Sequence, residues 1–240
     1  MLLLDFDGTL APIVSRPELA GMPERTRAAL ERLLRRGDVT IAVVSGRGLS
    51  DARERAGLAG VAYAGNHGME IEGPGFRHVH AEAAAARPRL DRVVDRLAAP
   101  LAAVPGAILE DKGLTLSVHD RMVPAERVEE VRRAVAAAVE GEEGLRLTEG
   151  KRVLEVRPAV QWHKGRAVEF LLDALHPPPE APVIYLGDDV TDEDAFRVLA
   201  GSVAGEGVIV ADPVPAGTAA RSFLRSPEEV AALLEALAAA

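Results

Sequence analysis

Short, almost wholly apolar runs recur along this chain, alternating with stretches whose apolar residues return at helical spacing. A strand without alternation is covered on both faces, so such runs belong to a central sheet with helices on either side. Residues 2–6, 39–44, 61–64, 183–186 and 208–210 read this way. Between them, 23–36 places Ala29, Leu30, Leu33 and Leu34 on one helical face, with Pro23 suited to the start and Gly37 to the stop. Residues 164–175, 192–199 and 227–237 are helical in the same sense. Strands alternating with helices define an open α/β sheet, and the chain begins and ends in it.

The middle has a different grammar. A helix near 89–97 precedes residues 107–109 and 114–118, which flank a tight Asp111-Lys112-Gly113 turn; a strong helix at 126–139 precedes a second hairpin formed by 145–147 and 153–156. This α-β-β-α-β-β order suits an antiparallel sheet with helices on one side. The expected division is a Rossmann-like core from 1–85 and 159–240, with an inserted α+β cap at 86–158.

Composition removes several functions. A formal charge of -9 and a pI near 5.3 disfavour nucleic acid and anionic membranes as partners. With no cysteine, thiol catalysis and disulfides are excluded. No apolar run approaches the roughly 20 residues of a membrane-spanning helix, and the first residues read as a strand and not as a leader. The expectation is a cytoplasmic protein with no membrane and no obligate protein partner. No Gly-x-x-x-x-Gly-Lys-Ser/Thr loop suggests a kinase. Only three of the 28 basic residues are lysines, Lys112, Lys151 and Lys164, and Asn66 is the sole asparagine. In an arginine-rich background a retained lysine can mark a need for a compact ammonium, or chance.

Four segments carry chemistry. Asp5-Phe6-Asp7-Gly8-Thr9-Leu10 sets two carboxylates at the end of a buried strand, where open sheets hold ligands, ahead of a turn able to approach a phosphoryl oxygen. Oxygen ligands of this kind suit Mg²⁺. Val43-Val44-Ser45-Gly46-Arg47 offers a hydroxyl at another strand end, though Ser-Gly also reads as a plain turn. In Trp162-His163-Lys164-Gly165, Lys164 opens a helix and can reach a phosphate, while His163 has no metal-ligand company. Finally Gly187-Asp188-Asp189-Val190-Thr191-Asp192-Glu193-Asp194 gathers acids that would repel one another without a cation. Asp188, Asp189 and Asp192 are the candidate ligands; Glu193 and Asp194 read equally as first-turn helix charges.

Those segments, in this order, resemble the haloacid dehalogenase-like phosphatases. The resemblance implies that Asp5 attacks phosphorus and that Asp7 protonates the leaving oxygen, then activates water. It further implies that Ser45 and Lys164 hold the phosphate. Mg²⁺ would sit on the Asp5 carboxylate, the Asp7 carbonyl and Asp188, with Asp189 or Asp192 nearby.

The finer resemblance is to trehalose-6-phosphate phosphatases. It is carried by the Asp5–Pro12 and Ser45–Arg47 segments, Gly65-Asn66-His67-Gly68-Met69-Glu70, Glu110-Asp111-Lys112-Gly113, His119-Asp120-Arg121, Lys151-Arg152-Val153-Leu154-Glu155-Val156-Arg157-Pro158 and the 187–193 acidic loop. It implies a phosphorylated disaccharide, trehalose 6-phosphate, gripped by Glu110, Lys112 and Glu155 on a mobile cap. Arg47, Asn66 and His67 would line the core side, with His67 also readable as a packed residue and Lys151 as either a sugar contact or a turn cation. Asp120 departs from the family, which usually carries an aromatic there. The competing readings are a related phosphatase for sucrose-phosphate, glucosylglycerol-phosphate or mannosyl-phosphoglycerate, and a non-catalytic metabolite-binding protein.

Overall fold

A computed structural model describes residues 1–150, 152–201 and 204–240. In chain order the main elements are β1 (Leu2–Leu4), α1 (Glu24–Arg36), β2 (Ile41–Val44), α2 (Leu49–Ala56), β3 (Ala62–Gly65), β4 (Glu70–Gly73) and β5 (Phe76–Val79). They continue with α3 (Ala81–Ala85), α4 (Arg87–Ala102), β6 (Ile108–Asp111), β7 (Leu116–His119), α5 (Val128–Val139), β8 (Leu145–Gly150) and β9 (Val153–Pro158). The last are α6 (Lys164–Leu175), β10 (Val183–Gly187), α7 (Glu193–Ala200), β11 (Gly205–Val210), β12 (Ser222–Leu224) and α8 (Pro227–Ala239). The chain divides into two compact units, Met1–His78 with Trp162–Ala240, and Val79–Gln161.

The first unit is built on a sheet in the order β12-β11-β10-β1-β2-β3-β4-β5. From β12 to β3 neighbours run parallel, and β4 returns antiparallel to β3. The apolar runs are explained by their two-sided burial. On β1, Leu2 and Leu4, with Phe6 just beyond, enter one core, where Leu30 and Leu33 of α1 and Val230 and Leu234 of α8 meet them. Leu3 points the other way, into the core formed with α6 and α7 through Val168, Leu171, Phe196 and Leu199. Each buried leucine contributes on the order of 1.5–3 kcal/mol relative to exposure.

This order positions the site. From β1 the chain moves to β2 on one side, while β10 arrives on the other. The loops leaving β1, β2 and β10 therefore converge at one edge of the sheet, at the crevice where the winding changes direction. Asp5 is fixed there by its N–H, which donates to the Leu186 carbonyl at 2.9 Å.

The second unit has a four-stranded antiparallel sheet in the order β6-β7-β9-β8. Alternation separates its faces. Leu116, Val118, Leu154 and Val156 pack against Leu90, Val93 and Leu97 of α4 and Val131 and Val135 of α5. The opposite face is polar. Register places Glu110, Ser117, Glu155 and Thr148 side by side across the four strands, with Arg157 beside Arg146 in the next row of that face.

The structure contains elements that the sequence reading leaves out. Residues 70–79 form β4 and β5 around the Pro74-Gly75 turn, β12 adds an edge strand, and the short α3 precedes α4.

Candidate active site

Three loops meet around one buried ammonium. Lys164, the first residue of α6, donates to Asp5 Oδ1 at 2.7 Å and to Asp192 Oδ1 at 2.7 Å. The three side chains are 3%, 5% and 0% exposed, so this is an interior ion cluster. Asp5, Asp188 and Asp192 each bring a carboxylate oxygen within 4.8 Å of the others. Among the described residues they form the one acidic group able to hold a metal ion.

Asp192 is saturated by the protein. Its Oδ1 accepts from Lys164 and from the Tyr185 hydroxyl at 2.6 Å, and its Oδ2 accepts from the N–H groups of Asp188 and Asp189 at 3.1 and 3.0 Å. It therefore organises the loop after β10. Asp189 caps the short turn that follows, its Oδ1 accepting from the Val190 N–H at 2.7 Å. Asp5 and Asp188 are left as the carboxylates whose placement suits an ion. The packing depends on two glycines. A Cβ on Gly8, whose φ is +85°, would lie 2.3 Å from Asp188 Oδ2, and one on Gly187 would lie 2.3 Å from Asp192 Cγ.

Among the described residues three carboxylates, Asp5, Asp192 and the half-buried Asp188, gather around the Lys164 ammonium, an imbalance of charge at this centre. Burial pushes the Asp5 carboxyl well above the ordinary range; Asp192 and Asp188 push the same way, and Lys164 opposes them. Burial alone would lower Lys164, but Asp192 and Asp5 outweigh it and hold the ammonium charged. Burial, followed by the Asp192 charge, likewise keeps Tyr185 protonated as a donor. A divalent cation among these oxygens would remove the imbalance, so the donor set fits a hard metal ion.

Around this centre the remaining candidate residues take different positions. Ser45 is buried at the end of β2, and its Oγ accepts from the Arg47 N–H at 3.2 Å, leaving its own O–H to donate. Asn66 and His67 support that loop from behind. The Asn66 N–H donates to the Arg47 carbonyl at 2.6 Å, and the His67 N–H donates to the Ser45 carbonyl at 2.9 Å. Both take positive φ, 50° and 57°, and the His67 ring packs over Gly46. Asp7 is gripped by Arg47, whose Nε and NH2 donate to its two carboxylate oxygens at 2.6 and 2.7 Å.

In the second unit, Glu155 lies 3.3 Å from the Lys112 ammonium, and Glu110 lies 2.8 Å from His119 Nε2. Lys151 lies outside the described residues. Asp120 is buried, with its carboxylate 2.9 Å from Arg152 Nε and its carbonyl accepting from Arg152 NH2 at 2.6 Å. It thus pins the turn between β8 and β9.

Four polar residues at these sites were not singled out by the sequence reading. Tyr185 is a hydroxyl hidden in an apolar strand. Asp51 stands four residues from both Arg47 and Arg55, a charge row at helical spacing. Ser117 falls on the polar phase of the 114–119 alternation, and Arg157 on that of 153–157. Both are buried, and among the described residues neither Ser117 Oγ nor Arg157 Nε has a hydrogen-bond partner. Burial lowers the Arg157 guanidinium, which lies 3.6 Å from Glu155.

The Asp5 loop at the switch point, flanked by Lys164 and the acidic loop after β10, sits on a fold shared with haloacid dehalogenase-like hydrolases. One of that class from Bacteroides thetaiotaomicron superposes with a TM-score of 0.69 at 17% identity, covering 98% of each chain. The chain belongs to the trehalose-phosphatase family, whose model matches residues 3–228. The C-terminal domain of Candida albicans trehalose-6-phosphate phosphatase is similar, with a TM-score of 0.83 and 27% identity over 99% of this chain and 91% of that one. A trehalose-phosphate phosphatase of Mycolicibacterium paratuberculosis is 41% identical over 98% of this chain. This chain spans 61% of that relative's length. Among the described residues no helix is long and apolar enough to cross a membrane.

Proposed function

We propose that the chain hydrolyses trehalose 6-phosphate to trehalose and inorganic phosphate, with Mg²⁺ as cofactor and Asp5 as nucleophile. The observation that carries this reading is the buried Asp5–Lys164–Asp192 cluster beside Asp188, in a chain of the trehalose-phosphatase family. Asp5 and Asp188 would hold the ion, with the Asp7 carbonyl implied by the resemblance. When bound, Mg²⁺ suppresses repulsion between the Asp5 carboxylate and a phosphate dianion.

The chain's own groups account for the rest. Lys164 fixes Asp5 and supplies positive charge where phosphoryl oxygens gather. The Ser45 hydroxyl donates to one of those oxygens. Asp5 forms a bond to phosphorus as the bond to the sugar oxygen breaks, and that oxygen takes a proton from Asp7 to leave as an alcohol. A water molecule then attacks the aspartyl-phosphate, giving its proton to Asp7, so that inorganic phosphate leaves and Asp5 is restored. Asp192 and Tyr185 hold the lysine and the acidic loop in place.

Sugar recognition is assigned to the second unit, as a cap. Glu110, Lys112 and Glu155 are joined by Ser117 and Arg157, whose buried Oγ and Nε make no hydrogen bond among the described residues. A polyol supplies acceptors and donors that would satisfy this row.

Phosphate release with Mg²⁺, and after chelation, across trehalose 6-phosphate, sucrose 6-phosphate and glucose 6-phosphate tests the reading. Metal-dependent turnover strongest on the first is expected. Stronger turnover of another ester would move the substrate to a related sugar phosphate, and no release from any ester would favour a binding protein.

A further inference from the structure

Arg47 does more than close a surface pair. The residue is 6% exposed and stands at the end of β2, with its guanidinium centre 5.5 Å from the Phe6 ring centroid. One edge of its fork is committed to Asp7, and NH1 donates to Asp51 Oδ2 at 2.6 Å. Asp51 is held in turn by Arg55 Nε at 2.6 Å on Oδ1. Arg55 is anchored by donation to the carbonyls of Glu18 and Ala20 at 3.0 and 2.8 Å. Alternating charges thus run from the loop beside the nucleophile, along α2, to the backbone of a separate loop.

From this chain of contacts we infer that Arg47 and Asp51 are positioning residues for Asp7, and that Arg47 is not a sugar ligand. The inference rests on the assignment of Asp7 as proton donor and acceptor given above. A carboxylate serving both halves of a reaction must keep one orientation, yet an aspartate on a loop has two soft side-chain torsions. A planar two-point grip fixes both, which a point charge cannot do. The grip itself is fixed because Asp51 holds the far side of the fork. Displacement of a reacting group by about 1 Å can cost on the order of a hundredfold in rate, so a residue that never meets substrate can control turnover.

The test compares wild type with Arg47→Met, Arg47→Lys and the near-isosteric Asp51→Asn. Each is assayed on an alkyl phosphate that wild type hydrolyses and on p-nitrophenyl phosphate, whose leaving group needs no proton. For Arg47→Met, kcat on the alkyl ester is expected to fall by about a hundredfold or more, the scale of lost acid–base catalysis. KM should change little, and the pre-steady-state burst of nitrophenolate should be retained. Arg47→Lys should fall with Arg47→Met, and Asp51→Asn should show the same pattern with a smaller loss. A raised KM with unchanged kcat would overturn the inference and make Arg47 a substrate ligand. Loss of the nitrophenolate burst in Arg47→Met, or full activity in Arg47→Lys, would also overturn it. Failure of the trehalose assignment itself would appear separately, as wild type preferring another ester.

Discussion

Asp5 combines two demands that oppose each other. As the proposed nucleophile it must be a bare carboxylate, yet it is buried, with two other carboxylates and one ammonium around it among the described residues. Its folded-state pKa is raised, so the favourable contribution of this group is present below the ordinary carboxylate range and is lost as pH rises through the raised value. A tenfold change in proton affinity on folding is worth about 1.4 kcal/mol. Asp5→Asn removes that loss while Lys164 keeps Asp192. In the metal-free protein Asp5→Asn should therefore be at least as stable as wild type, with an advantage that grows as pH rises above about 4. For a chain of this size each kcal/mol is worth about 2–4 °C. Mg²⁺ should raise the melting temperature of wild type and have little effect on the variant. Thermal melts in chelator and in Mg²⁺ check this; a variant less stable than wild type at every pH would contradict the account of the cluster.

At the level of elements, the proposed account puts sugar recognition on the polar face of the β6-β7-β9-β8 sheet. Glu155 and Arg157 project from the strand whose alternate residues, Leu154 and Val156, build the core under α4 and α5. Replacing Glu155 by Gln or Ser117 by Ala alters the polar face and leaves that core intact. KM for the sugar ester should rise several-fold with little change on p-nitrophenyl phosphate. Equal effects on both would refute a role in sugar binding. Much of this was legible in advance, because period-two alternation and the Asp111-Lys112-Gly113 turn are local signals. Very short segments were less so. Residues 70–79 form two four-residue strands that pair locally, β4 with β3 and β5 with β4, and β12 is three residues long. The chemistry-bearing loops were legible for the same reason as the hairpins: Asp5-Phe6-Asp7-Gly8 and the 187–194 acids lie at the ends of apolar strands. Which acid does what was not. Asp188 and Asp192 look alike in sequence, and only the convergence of Lys164, Tyr185 and two backbone N–H groups makes Asp192 an organiser. Arg47 faced the same limit, since its partners Asp7 and Asp51 come from different elements.

Across the whole molecule, two units divide the labour in the proposed account: the first carries the nucleophile at its switch point, and the second offers hydroxyl-binding groups on one sheet face. With a net charge of -9, the proposed account relies on positive charge concentrated at Lys164, together with a divalent ion, to admit a phosphate dianion. The proposed account turns on one covalent species, an aspartyl-phosphate on Asp5. The most direct measurement is therefore acid-quenched peptide mass analysis during turnover of trehalose 6-phosphate with Mg²⁺. The account predicts a phosphoryl group on the peptide containing Asp5, transient in wild type and absent from Asp5→Asn. Steady turnover of that ester by Asp5→Asn, or a phosphoryl group found on another residue, would contradict it.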